Sequence, residues 1–294
     1  MPADSRALVF GDLIDDIIVV PSGPIRSDTD TASSIRSQPG GSAANTAAWM
    51  AAAGADVTFV GRCATVDAAR HAQLLESAGA RARITGDETL PTGAIIVIVE
   101  GDRRSMLTER GANAALSPDD VDPTGFALVH ATGYSVLGHA EEFGRLVDRA
   151  HAAGTRVSLN AGSVAAIDDL GVETFTTATA GADIVIATTA EAALLSGQEQ
   201  PDAAARTLAE RHGVAAVTVG RDGAWACERG GVAVHVPAVV VDAVDPTGAG
   251  DSFSAGFLAA LLRGEPPAAA AAAGAALAAQ AVCAYGARPP TLTI

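Results

Sequence analysis

From residue 113 onward, segments typical of strands alternate with segments typical of helices. Short apolar runs predict strands at 127–132, 156–160, 183–187 and 215–220. Between them, apolar residues recur at helical spacing, which predicts helices at 140–153, 171–180, 191–196 and 202–212. This alternation predicts a parallel sheet with helices on both of its faces.

The first part of the chain adds β-forming segments that this sheet does not need. Strands are predicted at 7–11 and 57–61, and helices at 42–53 and 67–79. The additional β-forming segments lie at 17–20, 32–36, 92–100 and 103–108. We interpret them as a small separate sheet, a lid made of non-contiguous segments at about 14–38 and 92–110, inserted into one α/β domain over 1–294. Two antiparallel strands are predicted at 233–237 and 239–241.

The charge balance narrows the class of partner. The 294 residues carry 34 acidic and 19 basic side chains, with a net charge of −15, and the sequence contains no lysine. An acidic surface argues against nucleic acid or an anionic membrane as a partner. The absence of lysine excludes the P-loop lysine and the strand lysine of protein kinases. We expect a cytoplasmic protein for two reasons. The three cysteines follow no disulfide or metal-site pattern, and the N-terminus has no signal-peptide features.

A glycine-rich loop leads into an apolar helix, with the sequence Asp245-Pro246-Thr247-Gly248-Ala249-Gly250-Asp251. The free backbone N–H groups at a helix start, together with the helix dipole, form a site for an anion. The small residues of this loop allow an anion to approach the backbone closely. Asp251 has two interpretations: a carboxylate that stabilises the helix start, or a base for a hydroxyl that attacks a phosphate.

Polar residues near the first strand and the first helix are candidates for binding a polyhydroxy ligand. Asp12 and Asp16 follow the first strand, and residues beyond the carboxyl end of a parallel strand line the ligand crevice. Solvated loop carboxylates are the alternative. Gly40 and Gly41 precede the helix, and Asn45 lies near its first turn, where its amide can bond a ligand hydroxyl or the backbone.

Two of these motifs together resemble the signatures of the ribokinase-like (PfkB) carbohydrate kinases. The first is Gly40-Gly41-Ser42-Ala43-Ala44-Asn45, and the second is the loop at 245–251. Gly111-Ala112-Asn113, the turn at 218–223 and Gly286-Ala287 also fit, so the resemblance spans nearly the whole chain in the right order. It implies a three-layer, doubly wound α/β fold with a mostly parallel sheet and a small β-sheet lid.

The resemblance also implies ATP-dependent phosphotransfer to a hydroxymethyl group of a sugar or sugar derivative, with ATP and Mg²⁺ as cofactors and K⁺ as a further candidate. Asp251 is then the base, and the implied anion hole consists of Gly248, Ala249 and Gly250. The implied substrate-binding residues are Asp16, Gly40, Gly41 and Asn45, and the implied nucleotide-binding residues are Thr218, Gly220 and Gly223. The implied metal-site residues are Glu191 for Mg²⁺, acting indirectly, and Asp245, Thr247 and Gly286 for a monovalent cation.

Four positions depart from the family pattern. Thr188 replaces the asparagine of the Asn-x-x-Glu motif that ends at Glu191, so a shorter side chain stands at the magnesium-organising site. Ser42 and Ile14 stand where ribokinases carry lysine and asparagine, which argues against ribose as the acceptor. Pro246 replaces a threonine and stiffens the loop through its fixed φ.

Two alternatives to a sugar kinase stay open at this point. A nucleoside kinase of the same family needs apolar or aromatic surface for the base, and aromatic residues make up only 4% of the chain. A catalytically silent sugar- or nucleotide-binding protein would explain Thr188, but the intact Asp251 speaks against it. Arg110 is either a partner for an acidic acceptor or a solvated loop arginine. The expected substrate is a small molecule, and an exposed edge of the lid offers a surface for a homodimer.

Overall fold

The structure is a computed structural model that describes residues 5–100 and 103–290. Its strands are β1 (Arg6–Phe10), β2 (Ile14–Pro21), β3 (Ser33–Gly40), β4 (Asp56–Ala64), β5 (Arg81–Asp87), β6 (Gly93–Glu100), β7 (Arg103–Glu109), β8 (Leu128–Thr132), β9 (Arg156–Asn160), β10 (Ile184–Thr188), β11 (Val214–Thr218), β12 (Ala224–Glu228) and β13 (Val234–Val236). Its helices are α1 (Ser42–Ala52), α2 (Thr65–Ser77), α3 (Ala140–Ala152), α4 (Val164–Leu170), α5 (Val172–Thr179), α6 (Thr189–Ser196), α7 (Pro201–His212), α8 (Ala249–Leu262) and α9 (Pro267–Val282).

The large sheet has nine strands in the order β13-β12-β11-β10-β9-β8-β1-β4-β5. All neighbours from β5 to β11 are parallel, β12 pairs antiparallel with β11, and β13 pairs antiparallel with β12. One buried cluster includes residues of α1, α8 and α9, and a second includes residues of α3, α5 and α7. The predicted parallel sheet with helices on both faces is therefore confirmed. The strand order reverses at β1, where a ligand crevice is expected.

The small sheet has four strands in the order β3-β2-β6-β7. Its strands come from the two chain segments in which the lid was predicted, and the presence of a separate small sheet is confirmed. Residues 101 and 102, within the predicted lid segment 92–110, lie outside the described residues. Arg70 on α2 holds the small sheet by a bidentate ion pair with Asp15 on β2, at 3.0 and 2.6 Å. Asn113 bonds both the N–H and the carbonyl of Leu13 at 2.9 Å.

Three details of the sheets differ from the sequence predictions. The strand predicted at 239–241 is absent, and this segment is an exposed loop in which Val240 is 96% exposed. β-branched residues favour a strand, but strand formation also needs a neighbouring edge to pair with. β5 and β12 were missed, because β5 is charged and largely exposed whereas β12 follows a tight turn after β11.

Candidate active site

The glycine-rich loop at 245–248 ends where α8 begins. Gly248 is the N-cap with φ of 78°, and a Cβ atom there would lie 2.7 Å from the backbone of Ala287, so both conformation and space require glycine. A Cβ atom on Gly250 would meet nothing within 4 Å, so the first turn of α8 faces open space. Gly248, Ala249 and Gly250 thus lie together at the N-terminal end of a long buried helix, as an anion site requires.

Asp251 in the first turn of α8 is held by two residues from the start of α1. The hydroxyl of Ser42 donates to its Oδ1 at 2.6 Å, and Nδ2 of Asn45 donates to its Oδ2 at 2.9 Å. Burial raises the pKa of Asp251 above its usual value, and the two hydrogen bonds oppose that rise. The two glycine-rich motifs, far apart in sequence, therefore meet at one carboxylate.

Asp16 on β2 lies against Gly40, at the end of β3. A Cβ atom on Gly40 would overlap the carboxyl group of Asp16, which is 8% exposed. Burial and, to a smaller extent, the charge of Asp251 raise the pKa of Asp16 to about 6, whereas the charge of Arg288 opposes this rise. Gly41 has φ of 94°, and a Cβ atom there would overlap the carbonyl of Asp12. The predicted substrate-binding residues Asp16, Gly40, Gly41 and Asn45 therefore lie together beside Asp251.

A cavity of about 190 Å³ lies on the other side of Asp251, at the carboxyl edge of the large sheet. Its lining residues are Ser42, Tyr134, Asn160, Gly162, Ile186, Ala187, Thr188, Glu191, Thr218, Gly250 and Asp251. Five of them end or follow the strands β8, β9, β10 and β11. The cavity thus lies where parallel α/β sheets bind their ligands.

Thr188 and Glu191 form a capping box at the start of α6. The hydroxyl of Thr188 accepts from the N–H of Glu191 at 3.4 Å, and Oε2 of Glu191 accepts from the N–H of Thr188 at 2.8 Å. Burial raises the pKa of Glu191, whereas these bonds lower it. The shorter Thr188 therefore positions Glu191 through the backbone. A single carboxylate beside a polar cavity suits Mg²⁺, which keeps several of its waters and binds substrate phosphates.

Of the predicted nucleotide-binding residues, only Thr218 lines the cavity. Gly220 and Gly223 belong to the turn after β11, with φ of 60° and 101°. A Cβ atom on Gly223 would overlap the carbonyl of Val236, so this glycine allows β13 to approach the turn. These two residues shape the turn after β11 and do not line the cavity.

The predicted cation-site residues meet at Asp245. Its Oδ1 accepts from the N–H and the hydroxyl of Thr247 at 3.0 and 2.6 Å, and its Oδ2 accepts from the N–H of Gly286 at 3.2 Å. These bonds join the loop before α8 to the segment after α9. Within residues 5–100 and 103–290, no group of three or more His, Cys, Asp and Glu side chains has the arrangement of a metal site. A monovalent cation here would need backbone carbonyls as ligands.

Sequence reasoning missed Arg288, Tyr134 and Asn160. Arg288 directly follows Gly286-Ala287, and Asn160 ends a predicted strand, so both carried a positional signal. Arg110 is not a solvated loop residue: its guanidinium donates to Asp12 Oδ1 at 3.4 Å and to the carbonyls of Tyr134 and Leu137 at 2.9 and 3.3 Å.

Comparisons with known proteins find a family model and solved structures that match nearly the whole chain. The family model described as pfkB family carbohydrate kinase matches residues 4–294. Adenosine kinase from Sinorhizobium meliloti is 26% identical with a TM-score of 0.85, over 97% of this chain and 96% of that chain. A candidate ribokinase II from E. coli, in complex with ATP and Mg²⁺, is 22% identical with a TM-score of 0.83, over 96% of this chain and 94% of that chain.

A sequence relative shares a shorter stretch. An uncharacterized sugar kinase of Archaeoglobus fulgidus is 36% identical over 98 residues, which cover 33% of this chain and 39% of that protein's length. Among the helices of the described residues, none combines the length and the apolar character that crossing a membrane requires.

Proposed function

The chain belongs to the pfkB family of carbohydrate kinases, and we propose that it transfers the γ-phosphoryl group of ATP to a hydroxymethyl group of a sugar or sugar derivative. The observation that carries this proposal is the carboxylate of Asp251, oriented by Ser42 and Asn45 beside an open helix N-terminus. A base and an anion site in contact are the two devices that phosphoryl transfer to an alcohol needs.

In the proposed mechanism, Asp251 takes the proton of the acceptor hydroxyl. The hydroxyl oxygen then forms the new bond to phosphorus while the bond between the γ-phosphorus and ADP breaks. The N–H groups at Gly248, Ala249 and Gly250 stabilise the charge on the transferring group. Asp16, Gly40, Gly41 and Asn45 hold the acceptor, and closure of the small sheet excludes water.

ATP and Mg²⁺ are the proposed cofactors, supported by the E. coli neighbour that holds both. When bound, Mg²⁺ neutralises charge on the phosphates. Glu191 and Asn160 line the cavity, and we propose that these side chains, together with Thr188, organise the Mg²⁺ ion. Thr218, Gly220 and Gly223 are proposed to bind the nucleotide, and K⁺ is proposed near Asp245, Thr247 and Gly286.

A nucleoside kinase is the second candidate. The adenosine kinase neighbour supports it, and so does the face of the small sheet that carries Asp16. Ile95 is opposite Asp16 and Val97 is opposite Ile18 in the β2–β6 register, so these apolar side chains share the face of Asp16. They offer apolar surface for a nucleobase.

A homodimer and a cytoplasmic location are also proposed. Exposed Ile35, Met106 and Leu107 on the outer strands of the small sheet support the homodimer, and the sparse cysteines support the location.

The test is ADP release from Mg·ATP against sugars, sugar acids, sugar phosphates and nucleosides, with and without K⁺. Asp251→Asn is expected to lower kcat by several orders of magnitude with one acceptor class. The matched control is Asp148→Asn, the same change at an exposed position of α3. ATP binding without turnover for any acceptor would favour a catalytically silent protein, and full activity in Asp251→Asn would reject the proposed base.

A further inference from the structure

Arg288 is an arginine at the substrate side of the candidate site whose guanidinium is only partly bonded. Its Nη2 donates to the carbonyl of Gly40 at 2.9 Å, and its Nε donates to Oδ1 of Asn45 at 3.3 Å. Its Nη1 is buried and has no hydrogen-bond partner. Two of the residues proposed to bind the acceptor are therefore in direct contact with this side chain.

Arg288 also forms no ion pair with a carboxylate of the described residues. Of the ion pairs within 4.0 Å among residues 5–100 and 103–290, none includes Arg288, whereas Arg62, Arg70 and Arg110 each pair with an aspartate. Burial lowers the pKa of Arg288 to about 10, so the side chain is still charged at neutral pH. The carboxylates of Asp16 and Asp15 attract this charge only from beyond ion-pair distance. A buried charge that is not directly paired destabilises a protein, and such charges are usually paired. An anionic group on the ligand would supply the carboxylate or phosphate that the Arg288 guanidinium does not find within the described part of the protein.

A second donor lies in the same corner of the site. Gln38 on β3 is directly opposite Asp16 in the β2–β3 register, so the two side chains share one face of the small sheet. A Cβ atom on Gly286 would lie 3.0 Å from Oε1 of Gln38, which places this amide beside the segment that carries Arg288. Its Nε2 is also buried without a hydrogen-bond partner. Two unsatisfied donor groups therefore border the residues that contact the acceptor.

The other arginine near the site is differently placed. Arg110 also has one buried nitrogen, Nε, without a hydrogen-bond partner, but its guanidinium forms an ion pair with Asp12 and donates to two backbone carbonyls. An anionic group on the ligand would find its charge already compensated. Arg288 is thus the better match for a ligand anion.

We propose that Arg288 binds an anionic group of the phosphate acceptor, so that the substrate class is a sugar acid or a sugar phosphate. This inference rests on the proposed phosphotransfer function and deepens it. A guanidinium bonds the oxygens of a carboxylate or a phosphate with strong, charge-assisted hydrogen bonds. Gln38 supplies a further donor to the same group, while Asp16 and Asn45 bind the hydroxyls. A neutral sugar or a nucleoside would leave the guanidinium of Arg288 without a direct ion pair.

The experiment compares acceptors that share a terminal hydroxymethyl group and differ in whether they carry an anionic group. Each aldose is assayed beside its aldonic acid, its 2-keto aldonic acid and its 1-phosphate, all of which keep the terminal hydroxymethyl group, and nucleosides are assayed in parallel. For the wild type, kcat/KM with the acid or the phosphate is expected to exceed that with the neutral parent by about 100-fold. Arg288→Gln is expected to remove most of this preference by raising KM for the acceptor, with KM for ATP unchanged.

Two further variants separate a specific contact from a general charge effect. Arg288→Lys keeps the positive charge but loses the planar guanidinium group with its paired N–H donors, so it is expected to retain part of the preference for anionic acceptors. Arg36→Gln removes one charge from an exposed arginine of β3, whose guanidinium lies 5.1 Å from the ring of Tyr285, and is expected to keep the full preference. Preference for the acid or for the phosphate decides which anion the site takes.

The possible failures are distinguishable. Turnover that favours neutral sugars or nucleosides overturns this inference and leaves the proposed kinase intact. An Arg288→Gln variant with an unchanged anion preference also overturns it. Absence of turnover with every acceptor overturns the proposed function, and this inference with it. If Arg288→Gln does not fold, the comparison of charged and neutral acceptors with the wild type still decides, because it needs no variant.

Discussion

The hydroxyl of Ser42 donates to Oδ1 of Asp251 at 2.6 Å, and this hydrogen bond joins the first turn of α1 to the first turn of α8. Asn45 completes the arrangement at Oδ2. Both donors favour the ionised carboxylate, whereas burial disfavours it. The proposed base is therefore oriented by its own hydrogen bonds before any acceptor arrives, and its proton affinity depends on residues from another part of the chain.

Ser42→Ala tests this orientation. Loss of the donor leaves the carboxylate of Asp251 less stabilised, so its pKa is expected to rise and the acid limb of the pH profile of kcat to move to higher pH. We also expect kcat to fall about tenfold, with KM for ATP unchanged. Ser77→Ala on the exposed end of α2 is the matched control. An unshifted acid limb in Ser42→Ala would mean that this bond does not tune the base.

Gly40→Ala tests how Asp16 on β2 packs against Gly40 on β3. The new methyl group would overlap the carboxyl group of Asp16 and displace it. We expect KM for the acceptor to rise by at least tenfold, with a smaller change in KM for ATP. Gly144→Ala is the control, because a Cβ atom there meets nothing within 4 Å in α3 and alanine favours a helix. Unchanged acceptor KM in Gly40→Ala would remove Asp16 from the acceptor site.

Asp16→Asn tests the electrostatics of the same carboxyl group. Its pKa is raised from 3.8 to about 6 in the folded state, so the folded protein binds more protons than the unfolded chain between these values, and stability falls as the pH rises through them. Asparagine cannot ionise. The variant is therefore expected to be more stable than the wild type at pH 7.5, by roughly 2–3 kcal/mol.

Denaturant unfolding of both proteins checks the sign. The advantage of Asp16→Asn should vanish near pH 4, where the wild-type carboxyl group is already protonated in the folded protein. Glu141→Gln, at an exposed position in α3, is the control for removing one negative charge from an acidic protein. An equal advantage at both pH values would show that Asp16 is not the group that titrates.

Thr188→Ala tests the capping box at α6. Loss of the cap is expected to cost about 1 kcal/mol of stability, measured by denaturant unfolding, because the N–H of Glu191 loses its acceptor. Asparagine is also a good N-cap, so Thr188→Asn should keep that stability.

The same two variants test whether the cap positions Glu191 for magnesium. If it does, the Mg²⁺ concentration needed for half-maximal turnover rises in Thr188→Ala and stays near the wild-type value in Thr188→Asn. Equal requirements in both variants would contradict that role.

Much of the large sheet could be predicted from the sequence, because its strands and helices carry strong local patterns. Each parallel strand from β8 to β10 is a short apolar run followed by a helical segment, and the predicted bounds of β8 to β11 are close to the observed ones. The failures lie at both edges of the sheet: β5 at the parallel edge, and β12 and residues 239–241 at the antiparallel edge. The valines at 239–241 favour a strand, yet they lie exposed in a loop, because local preference does not supply a pairing partner.

The candidate site likewise combines chemical groups that the sequence predicted with contacts that it did not predict. The sequence by itself determined the chemical groups available: a carboxylate at a glycine-rich helix start, small residues before α1, and polar residues at the ends of strands. Only the tertiary structure decided that Ser42 and Asn45 meet Asp251 and that Thr188 caps α6. It also decided that Arg288 contacts Gly40 and Asn45 but forms no ion pair within the described part of the chain. Except for the cap, these contacts join residues from distant parts of the chain. Their distances depend on how sheets and helices pack around a common core, and no local sequence pattern encodes them.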